Sequence, residues 1–360
     1  MSASLPIFIY YLAAIALSAV ISAYSVRKII FITRSRKLYD LPDDTRKIHG
    51  AGIPSLGGIG IFVGYIVVAA FFWPRAHYFM PYIMASSAIL FFTGIYDDIM
   101  NMRPSKKLIA QLIASLITVI FGNIRIGSLY GLFGIDILSW WPDVIFSTLC
   151  CTFFINVFNF VDGIDGLAGV MATMYMLILG SLFGYTGHPG AAGICFALAG
   201  ATTGLLIFNI APAKIYMGDT GSMFLGFTIF TFSLLFVNMY AGGEAAEITG
   251  LIPNQQQALI LMFAMLFLPI FDAIRVFILR ASRGISPFKA DRTHLHYYLL
   301  DAGFTHTQSV LIIVTTNVVI IALAYFLRAG NPYISLLSIT GLASLVLFII
   351  YMLRQRKLEK

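Results

Sequence analysis

The sequence predicts an all-α polytopic integral membrane protein with about 11 transmembrane helices, the N-terminus outside and the C-terminus in the cytoplasm. Composition, the length of the apolar blocks and the distribution of basic residues predict this fold class. Of the 360 residues, 59% are hydrophobic and only 11% are charged, whereas soluble domains contain about 25% charged residues. The apolar residues fall in blocks of about 16 to 23, the length that crosses a hydrocarbon core of about 30 Å.

The candidate spans follow one another closely and leave no room for a separate soluble domain. We therefore predict a single membrane-embedded domain over residues 1–360. The first apolar block is too long for a cleavable signal peptide and is interpreted as the first span. Pro269 is expected to kink or break the ninth span. The spans are 5–26, 56–73, 79–96, 108–121, 143–159, 167–184, 190–209, 222–241, 257–279, 308–327 and 333–353.

The basic residues predict the orientation. Twenty of the 23 lysines and arginines lie in the odd-numbered loops, the C-terminal tail or a helix end beside them, and only Arg75, Arg125 and Arg328 lie in the even-numbered loops. The positive-inside rule assigns the basic side to the cytoplasm of the inner (plasma) membrane. Basic loops beside anionic lipid also explain the net charge of +7, so we expect no nucleic-acid partner.

Most of the aspartates lie on the same side as the basic residues. A carboxylate at the centre of a spanning helix costs about 2.5–3.5 kcal/mol on insertion scales, so acids gathered at a membrane face favour a polar cavity there. Solvated loop acids are the alternative. The aspartates of this side that draw attention are Asp97, Asp98, Asp162, Asp165, Asp219, Asp272 and Asp291.

Two motifs place carboxylates beside cations or amides. Asp97 and Asp98 end the third span, and Lys107 follows ten residues after Asp97. Adjacent carboxylates are suited to holding a hard cation or placing a base, although a helix end with snorkelling lysines would look similar. The second motif runs from Asn156 to Leu167 and contains Asn159, Asp162 and Asp165; Asn156 and Asn159 share a helix face, and the two glycines allow a tight turn.

The third motif enters the eighth span, and the fourth lies in the longest loop of the basic side. Gly218-Asp219-Thr220-Gly221-Ser222 offers a carboxylate for a metal beside free N–H groups for an anion, or a simply capped helix start. The fourth motif contains Arg283, Arg292, His294 and His296. A zinc site has little support there because the histidine spacing is unsuitable and no cysteine is near, so phosphate contact is favoured.

Together the motifs DDxxN, NxxNxxDGIDGLA, MGDxGS and SPFxxDRxHLH, in this order and on one side, resemble the polyprenyl-phosphate N-acetylhexosamine-1-phosphate transferase superfamily. The resemblance covers nearly the whole chain and extends most closely to the bacterial branch that uses UDP-N-acetylhexosamine. It implies transfer of a sugar-1-phosphate, with GlcNAc-1-phosphate favoured, to undecaprenyl phosphate, with release of UMP and initiation of a lipid-linked envelope glycan. The sister branch that transfers phospho-MurNAc-pentapeptide is the alternative, but it generally carries three consecutive histidines where this chain has His294-Leu295-His296-Tyr297.

The resemblance also implies roles for individual residues. Asp219 is expected to be the principal Mg²⁺ ligand and Asn159 a second, with Mn²⁺ as a substitute metal. The remaining residues are expected to act on substrate: Asp97, Asp98, Lys107, His294 and His296 in catalysis, and Asp162, Asp165, Arg283 and Arg292 in substrate binding. Asn101 stands where some relatives have a third acid, which argues against metal binding at that position.

Physical chemistry agrees with this interpretation and leaves two questions open. Phosphoryl-type transfer depends on alignment and charge neutralisation more than on covalent help from the protein, and Mg²⁺ takes one or two carboxylates plus phosphate oxygens. An aspartate could act as base, but a polyprenyl phosphate is already largely ionised and could attack directly. A secondary transporter is the alternative of another class, although the sequence shows no repeat between its halves; a homodimer is an expectation that the sequence does not decide.

Overall fold

The computed structural model describes residues 6–36, 52–73, 79–241, 252–284, 286 and 291–359. Within these ranges the chain is helical, and its only strand-like pairing is one antiparallel bridge between Ser128 and Ile137. The helices are α1 (Ile7–Arg36), α2 (Gly57–Phe72), α3 (Met80–Met100), α4 (Pro104–Leu116), α5 (Trp140–Val161), α6 (Leu167–Tyr185), α7 (Pro189–Asn209), α8 (Gly218–Ala241), α9 (Gln255–Ser282), α10 (Leu295–Asp301), α11 (His306–Phe326) and α12 (Pro332–Leu358).

Each of the eleven predicted spans corresponds to one of these helices. Ten helical segments of the described chain are long and apolar enough to cross a membrane, and α2 is a shorter apolar helix. Large apolar side chains cover much of the outer surface; Leu337 is 73% exposed and Phe348 is 60% exposed. Such an apolar surface is unfavourable in water. Together with the ten long apolar helices, it identifies the chain as a multi-pass membrane protein. The all-α fold class is confirmed, whereas the orientation of the termini stays a prediction.

Most helices differ by a few residues from their predicted bounds, and three departures from the predictions matter most. α1 has 30 residues, a length of about 45 Å, so its basic C-terminal end extends beyond a hydrocarbon core of about 30 Å. α8 begins at Gly218, four residues before the predicted start, which places Asp219 inside its first turn. α9 continues through Pro269, so the expected break is absent.

Side-chain caps account for several helix starts. The side chain of Asn254 accepts a hydrogen bond from the N–H of Gln257 at the start of α9. Thr305 and Gln308 form a reciprocal capping box before α11. The side chain of Asn331 accepts from the N–H of Tyr333 at the start of α12. These polar residues end the loops between apolar blocks, as expected for N-caps.

The chain divides into two compact units. The first comprises Met1–Arg125 and Val144–Phe232, and the second comprises Ile126–Asp143 and Ser233–Lys360. The prediction of a single domain over 1–360 is not decided by this division and stays a prediction.

The first unit is built around close backbone contacts of α7 with α1 and α2. α7 is largely buried, and its glycines face the neighbouring helices. A Cβ at Gly200 would lie 2.1 Å from Ser18 Oγ and 2.2 Å from the Ile15 carbonyl oxygen, and a Cβ at Gly204 would lie 2.4 Å from the Ala19 carbonyl oxygen. Glycine therefore allows α1 and α7 to approach at backbone distance, as small residues do in membrane helix pairs.

Gly200→Ala is expected to destabilise the protein by about 1–3 kcal/mol, because the added methyl group would meet a carbonyl oxygen that belongs to a helix backbone. The measurement is the thermal unfolding midpoint of the purified protein in detergent. The control is Gly341→Ala in α12, where a Cβ would meet nothing within 4 Å; this variant should unfold at or above the wild-type temperature because alanine favours helix. Equal midpoints for Gly200→Ala and wild type would contradict the close α1–α7 contact.

In the second unit, α9 is held by polar contacts with its neighbours. The Asn317 amide of α11 donates to the Met265 carbonyl oxygen at 3.3 Å, and Gln257 Nε2 donates to the Gly330 carbonyl oxygen at 3.2 Å. Gln256 Nε2 donates to the Tyr130 carbonyl oxygen at 2.7 Å. α9 is thereby fixed at its N-terminal half, and its C-terminal half carries the polar residues described below.

Candidate active site

Asp219 is placed by an unusual entry into α8. The backbone of residues 54–58 pairs with residues 216 and 217: Tyr216 N donates to Pro54 O at 2.8 Å and Gly58 N donates to Met217 O at 2.8 Å. Gly218 then has a φ of +73°, and a Cβ there would lie 1.8 Å from the Ser55 carbonyl oxygen. Only glycine suits this position, and the turn directs the chain into α8 with Asp219 as its second residue.

Asp98 of α3 caps α8. Its Oδ1 accepts from the Asp219 N–H at 2.8 Å, and its Oδ2 accepts from the Thr220 N–H at 3.0 Å and from Thr220 Oγ1 at 2.5 Å. The sequence predicts free N–H groups at this helix start, or a cap from α8 itself. The first two N–H groups after Gly218 are instead occupied by a carboxylate from another helix, which suits the positive end of the helix dipole.

Asp98→Asn is expected to lower the free energy of unfolding by about 1 kcal/mol, because the amide NH2 group cannot accept from Thr220 and the negative charge at the helix N-terminus is lost, and also to reduce activity because the cap fixes the residue beside it, Asp219. Thermal unfolding and turnover would be measured together. Thr220→Val removes only the hydroxyl hydrogen bond and should have a smaller effect on both. An Asp98→Asn variant with wild-type unfolding temperature would contradict the capping role.

Lys107, in the first turn of α4, lies between two carboxylates. Its Nζ is 3.1 Å from Asp97 Oδ2 and 2.7 Å from Asp219 Oδ2, and the two carboxylates are also within hydrogen-bonding reach of each other. The other oxygen of Asp97 accepts from the Met102 N–H at 2.6 Å. The predicted acidic residues and the predicted lysine therefore meet, with the ammonium group neutralising a convergent pair of negative charges.

Asn159 of α5 contacts the same aspartate from the other side. Its amide nitrogen donates to Asp219 Oδ1 and, at 2.8 Å, to Ser222 Oγ one turn further along α8. The nitrogen and oxygen of an asparagine amide are assigned from their partners, so the group that faces Asp219 is an amide that can present either atom. Asn159 and Asp219, the two predicted metal ligands, are therefore in contact.

A second amide pair joins α4 to α5. Asn156 Nδ2 donates to Gln111 Oε1 at 2.7 Å, and Gln111 Nε2 lies 3.4 Å from Asn156 Oδ1. Gln111 is fully buried and follows Lys107 by four residues, which places both on one face of α4. Gln111 is not among the residues predicted from the sequence, although its spacing from Lys107 is a usable signal. This pair fixes the helix that carries the lysine against the helix that carries Asn159.

Asp162 and Asp165 lie in the turn between α5 and α6, beside the entry to α8. Asp162 accepts a hydrogen bond from the Gly218 N–H; burial, with the nearby charges of Asp219 and Asp98, raises the pKa of its carboxyl to about 7. Asp165 Oδ2 accepts from the Ala213 N–H at 3.0 Å. Both predicted substrate-binding aspartates therefore contact the backbone of the segment that leads to Asp219, and their role in binding substrate stays a prediction.

We refer to Asp97, Asp98, Lys107, Asn159, Asp162 and Asp219 as the acidic cluster, and its donor set suits a hard divalent cation. The part of the chain that the structure describes contains no group of three or more His, Cys, Asp or Glu side chains arranged to hold a metal ion. Mg²⁺ does not require such a group, because it keeps several waters and takes one or two carboxylates plus phosphate oxygens. The convergence of Asp97 and Asp219 on the Lys107 ammonium shows that this point favours positive charge.

The predicted histidines lie in the second unit, where we refer to Asp272, Arg275, His294 and His296 as the histidine cluster. His294 Nδ1 is 2.9 Å from Asp272 Oδ2. The rings of His294 and His296 are parallel within 2° and their centroids are 5.7 Å apart. Burial lowers the pKa of His296 to about 3, so this ring is neutral, and its Nε2 has no hydrogen-bond partner among the described residues.

The two predicted arginines of this region differ in their surroundings. Arg292 is largely exposed, lies 3.3 Å from Asp301 and has its guanidinium over the Tyr297 ring. Arg283 follows the end of α9 and is exposed. Asp272 and Arg275 have no predicted role; the signal that could have identified them is the presence of two charged residues near the basic end of an otherwise apolar span.

Comparison with known proteins agrees with the motifs. Residues 80–237 match the model of the family described as glycosyl transferase family 4, a segment that includes the whole acidic cluster. Over this segment the chain is similar to that family, in agreement with the order of its motifs.

Named relatives make the similarity more specific. The undecaprenyl-phosphate alpha-N-acetylglucosaminyl 1-phosphate transferase of Salmonella typhi is 29% identical over 312 residues, which are 83% of this chain and 80% of that protein. The probable undecaprenyl-phosphate N-acetylglucosaminyl 1-phosphate transferase of Bacillus subtilis is 27% identical over 299 residues, 81% of this chain and 78% of that one. The decaprenyl-phosphate N-acetylglucosaminephosphotransferase of Mycobacterium tuberculosis is 29% identical over 301 residues, 74% of this chain and 70% of that one.

Proposed function

We propose that this protein transfers GlcNAc-1-phosphate from UDP-GlcNAc to undecaprenyl phosphate, releases UMP, and carries out this reaction at the cytoplasmic face of the plasma membrane. The observation that carries the proposal is the meeting of Asp97, Lys107, Asn159 and Asp219 at adjoining helix ends. The names of the relatives support the same transferred group and the same acceptor. They also favour GlcNAc-1-phosphate over the phospho-MurNAc-pentapeptide alternative.

The proposed reaction exchanges one phosphoanhydride bond for another. A phosphate oxygen of undecaprenyl phosphate attacks the phosphorus that carries GlcNAc, and the bond from that phosphorus to the bridging oxygen breaks. UMP leaves with the bridging oxygen, and the lipid retains a diphosphate that carries the sugar. The lipid comes from the bilayer and the nucleotide from water, so a site at helix ends suits both substrates.

The acidic cluster would hold Mg²⁺ through Asp219 and the Asn159 amide oxygen, with Mn²⁺ as a substitute. When bound, Mg²⁺ would neutralise the diphosphate and the charge that develops on the leaving phosphate. Asp98 would not bind the metal itself, because both of its oxygens accept hydrogen bonds from the N-terminus of α8. Its proposed role is therefore to hold Asp219 in place, and not to accept a proton.

Lys107 supplies a cation beside the same carboxylates. Its ammonium group can hold a phosphate oxygen with one of its three donors while it remains paired with Asp97 or Asp219. Asp97 keeps the ammonium near Asp219, and it is the aspartate of the pair that could receive a proton from a monoprotonated lipid phosphate. An ionised phosphate would need no base.

The predicted donor-binding residues complete the proposal. Asp162 and Asp165 border the backbone that leads into α8 and are proposed to orient the nucleotide. His294, His296, Arg283 and Arg292 are proposed to bind the diphosphate or sugar, because guanidinium groups suit phosphate oxygens and imidazole nitrogens can donate to or accept from sugar hydroxyls.

The experiment that tests the proposed function uses purified protein in detergent with undecaprenyl phosphate, Mg²⁺ and a panel of radiolabelled UDP-N-acetylhexosamines. We expect a lipid-extractable labelled product with UDP-GlcNAc and much less with the other donors. A product from UDP-MurNAc-pentapeptide alone would support the sister activity. The absence of product with every donor, from folded protein, would overturn the proposal.

A further inference from the structure

The segment that carries the two histidines is anchored to the C-terminal half of α9 by three charged side chains. Arg280 Nη2 is 2.8 Å from Asp291 Oδ1 at the start of the segment. Arg275 Nη2 donates to the Thr293 carbonyl oxygen at 2.5 Å. Asp272 reaches the end of the segment, where α10 begins. The three anchors lie within one unit and contact three successive parts of residues 291–295.

Asp272 makes the contacts that involve a predicted catalytic side chain. Its Oδ2 is 2.9 Å from His294 Nδ1, and its two oxygens accept from the Leu295 N–H at 3.1 and 3.2 Å. Arg275 donates to Asp272 Oδ1 through Nη2 at 2.6 Å and through Nε at 3.2 Å. The side chains of Asp272 and His294 are only 14% and 8% exposed. Every strong acceptor site of this carboxylate is therefore directed at the histidine segment or at the arginine that holds it.

A carboxylate at this distance fixes the chemistry of an imidazole ring. A carboxylate oxygen accepts, so the nitrogen that faces it, Nδ1 of His294, is the one that carries a proton, and Nε2 is the nitrogen directed away from Asp272. The Leu295 N–H, bound to the same carboxylate, fixes the backbone next to the ring. The parallel ring of His296, 5.7 Å away, is placed by the same short stretch of chain.

We propose that Asp272 is a positioning residue for the transfer reaction, and that it acts by fixing the tautomer and orientation of His294 toward the sugar-diphosphate donor. This inference rests on the proposed function and on the proposed donor-binding role of His294. Asp272 itself is paired with Arg275 and the histidine segment, so its effect reaches the donor through His294. A purely structural anchor would support the segment without any specific dependence on the imidazole.

The Arg280–Asp291 pair provides the matched comparison. Asp291 anchors the same segment, and the Arg280 hydrogen bond lowers its pKa to about 2. Its contacts are with Arg280 and Thr293, and none of them involves an imidazole. Replacing either aspartate by asparagine removes one negative charge from an anchor of the segment, but only Asp272→Asn changes the partner of a histidine.

The test is a double-mutant cycle on the full-length protein in detergent, with kcat and KM for UDP-GlcNAc as readouts. Asp272→Asn and His294→Ala should each reduce kcat/KM by about tenfold or more, and the double variant should lose little beyond the more severe single variant, because both changes remove the same oriented ring. Asp272→Asn should retain more activity than Asp272→Ala, since asparagine keeps one oxygen for the Nδ1–H. Asp291→Asn combined with His294→Ala should show multiplied losses.

The outcomes distinguish a failure of the proposed transferase function from a failure of the positioning role of Asp272. Absence of transfer by the wild-type protein would overturn the proposed function itself. Active wild type with multiplied losses for Asp272→Asn and His294→Ala would leave the function standing and overturn the positioning role. If Asp272→Ala lowers the unfolding midpoint strongly, the Asp272→Asn arm of the cycle decides, provided that its midpoint stays within a few degrees of wild type; equal activity of that variant and wild type would also overturn the inference.

Discussion

Asp219→Asn is expected to reduce turnover at saturating UDP-GlcNAc by at least about a hundredfold, the loss typical of removing one electrostatic contact to a developing charge. The carboxylate is held from two sides, by the Lys107 ammonium at 2.7 Å and by the Asn159 amide. Asparagine keeps the shape but loses the charge that would hold Mg²⁺. The measurement is the rate of lipid-linked product formation, together with Mn²⁺ binding followed by electron paramagnetic resonance, which should weaken in the variant.

The control for Asp219 is Asp136→Asn. A π-helical turn, Ile117–Phe121, follows α4, and Asp136 is an exposed acid in the loop between this turn and α5. It is remote in sequence from every motif, so its replacement should leave both turnover and Mn²⁺ binding unchanged. The unfolding midpoint of Asp219→Asn must stay near that of wild type for the comparison to count. Wild-type turnover by Asp219→Asn would remove this residue from the active site.

Lys107→Met is expected to have the second large effect, again at least about a hundredfold on kcat/KM. The ammonium group is the cation that lies between Asp97 and Asp219, and methionine preserves much of the apolar length while removing the charge. Without it, the two carboxylates would repel each other and the donor diphosphate alike. Steady-state rates over a range of UDP-GlcNAc concentrations give the measurement.

The adjacent residue supplies a matched control for Lys107. Lys106 is exposed, and Lys106→Met removes the same charge from the same helix turn without touching the acidic cluster. Its activity should stay within about twofold of wild type, as for surface substitutions away from specific contacts. Similar losses in the two variants would indicate a general effect of positive charge at this face and contradict the specific role of Lys107.

The helices could be predicted from sequence because a membrane imposes one requirement on every span. Each crossing segment must satisfy its own backbone in hydrocarbon, so apolar block length alone located α2, α5, α6 and α7 closely. Apolar block length does not predict the end of α1, since a helix can continue past the bilayer into a basic region such as Arg27 to Arg36. Pro269 does not break α9, because an α-helix can continue through a proline when neighbouring groups satisfy the freed carbonyl; the kink that was the other expectation stays a prediction.

The acidic cluster was predictable as a set of residues but not as a geometry. Charge type and order singled out Asp97, Lys107, Asn159 and Asp219, and the structure brings all four together. What the sequence could not show is which partner each side chain has. Asp97 and Asp98 are adjacent in sequence, yet one faces a lysine and the other caps a distant helix, because successive residues on a helix point in different directions.

The contacts that support the cluster escaped the sequence analysis for a related reason. Gln111 is a lone amide in an apolar helix, and its significance depends on Asn156 lying opposite it. Asp272 resembles an ordinary charged residue near a span end until His294, 22 positions later, is found beside it. Such pairings depend on tertiary structure, and spacing along a single chain does not encode them.

The measurement that tests the central claim most directly follows the two phosphorus atoms of the donor. Purified protein would be given undecaprenyl phosphate and UDP-GlcNAc labelled either at the phosphate next to uridine or at the phosphate next to the sugar. We predict that the sugar-side label enters the lipid product and that the uridine-side label remains in UMP. Release of UDP, with both labels in the nucleotide and only the sugar on the lipid, would contradict the account.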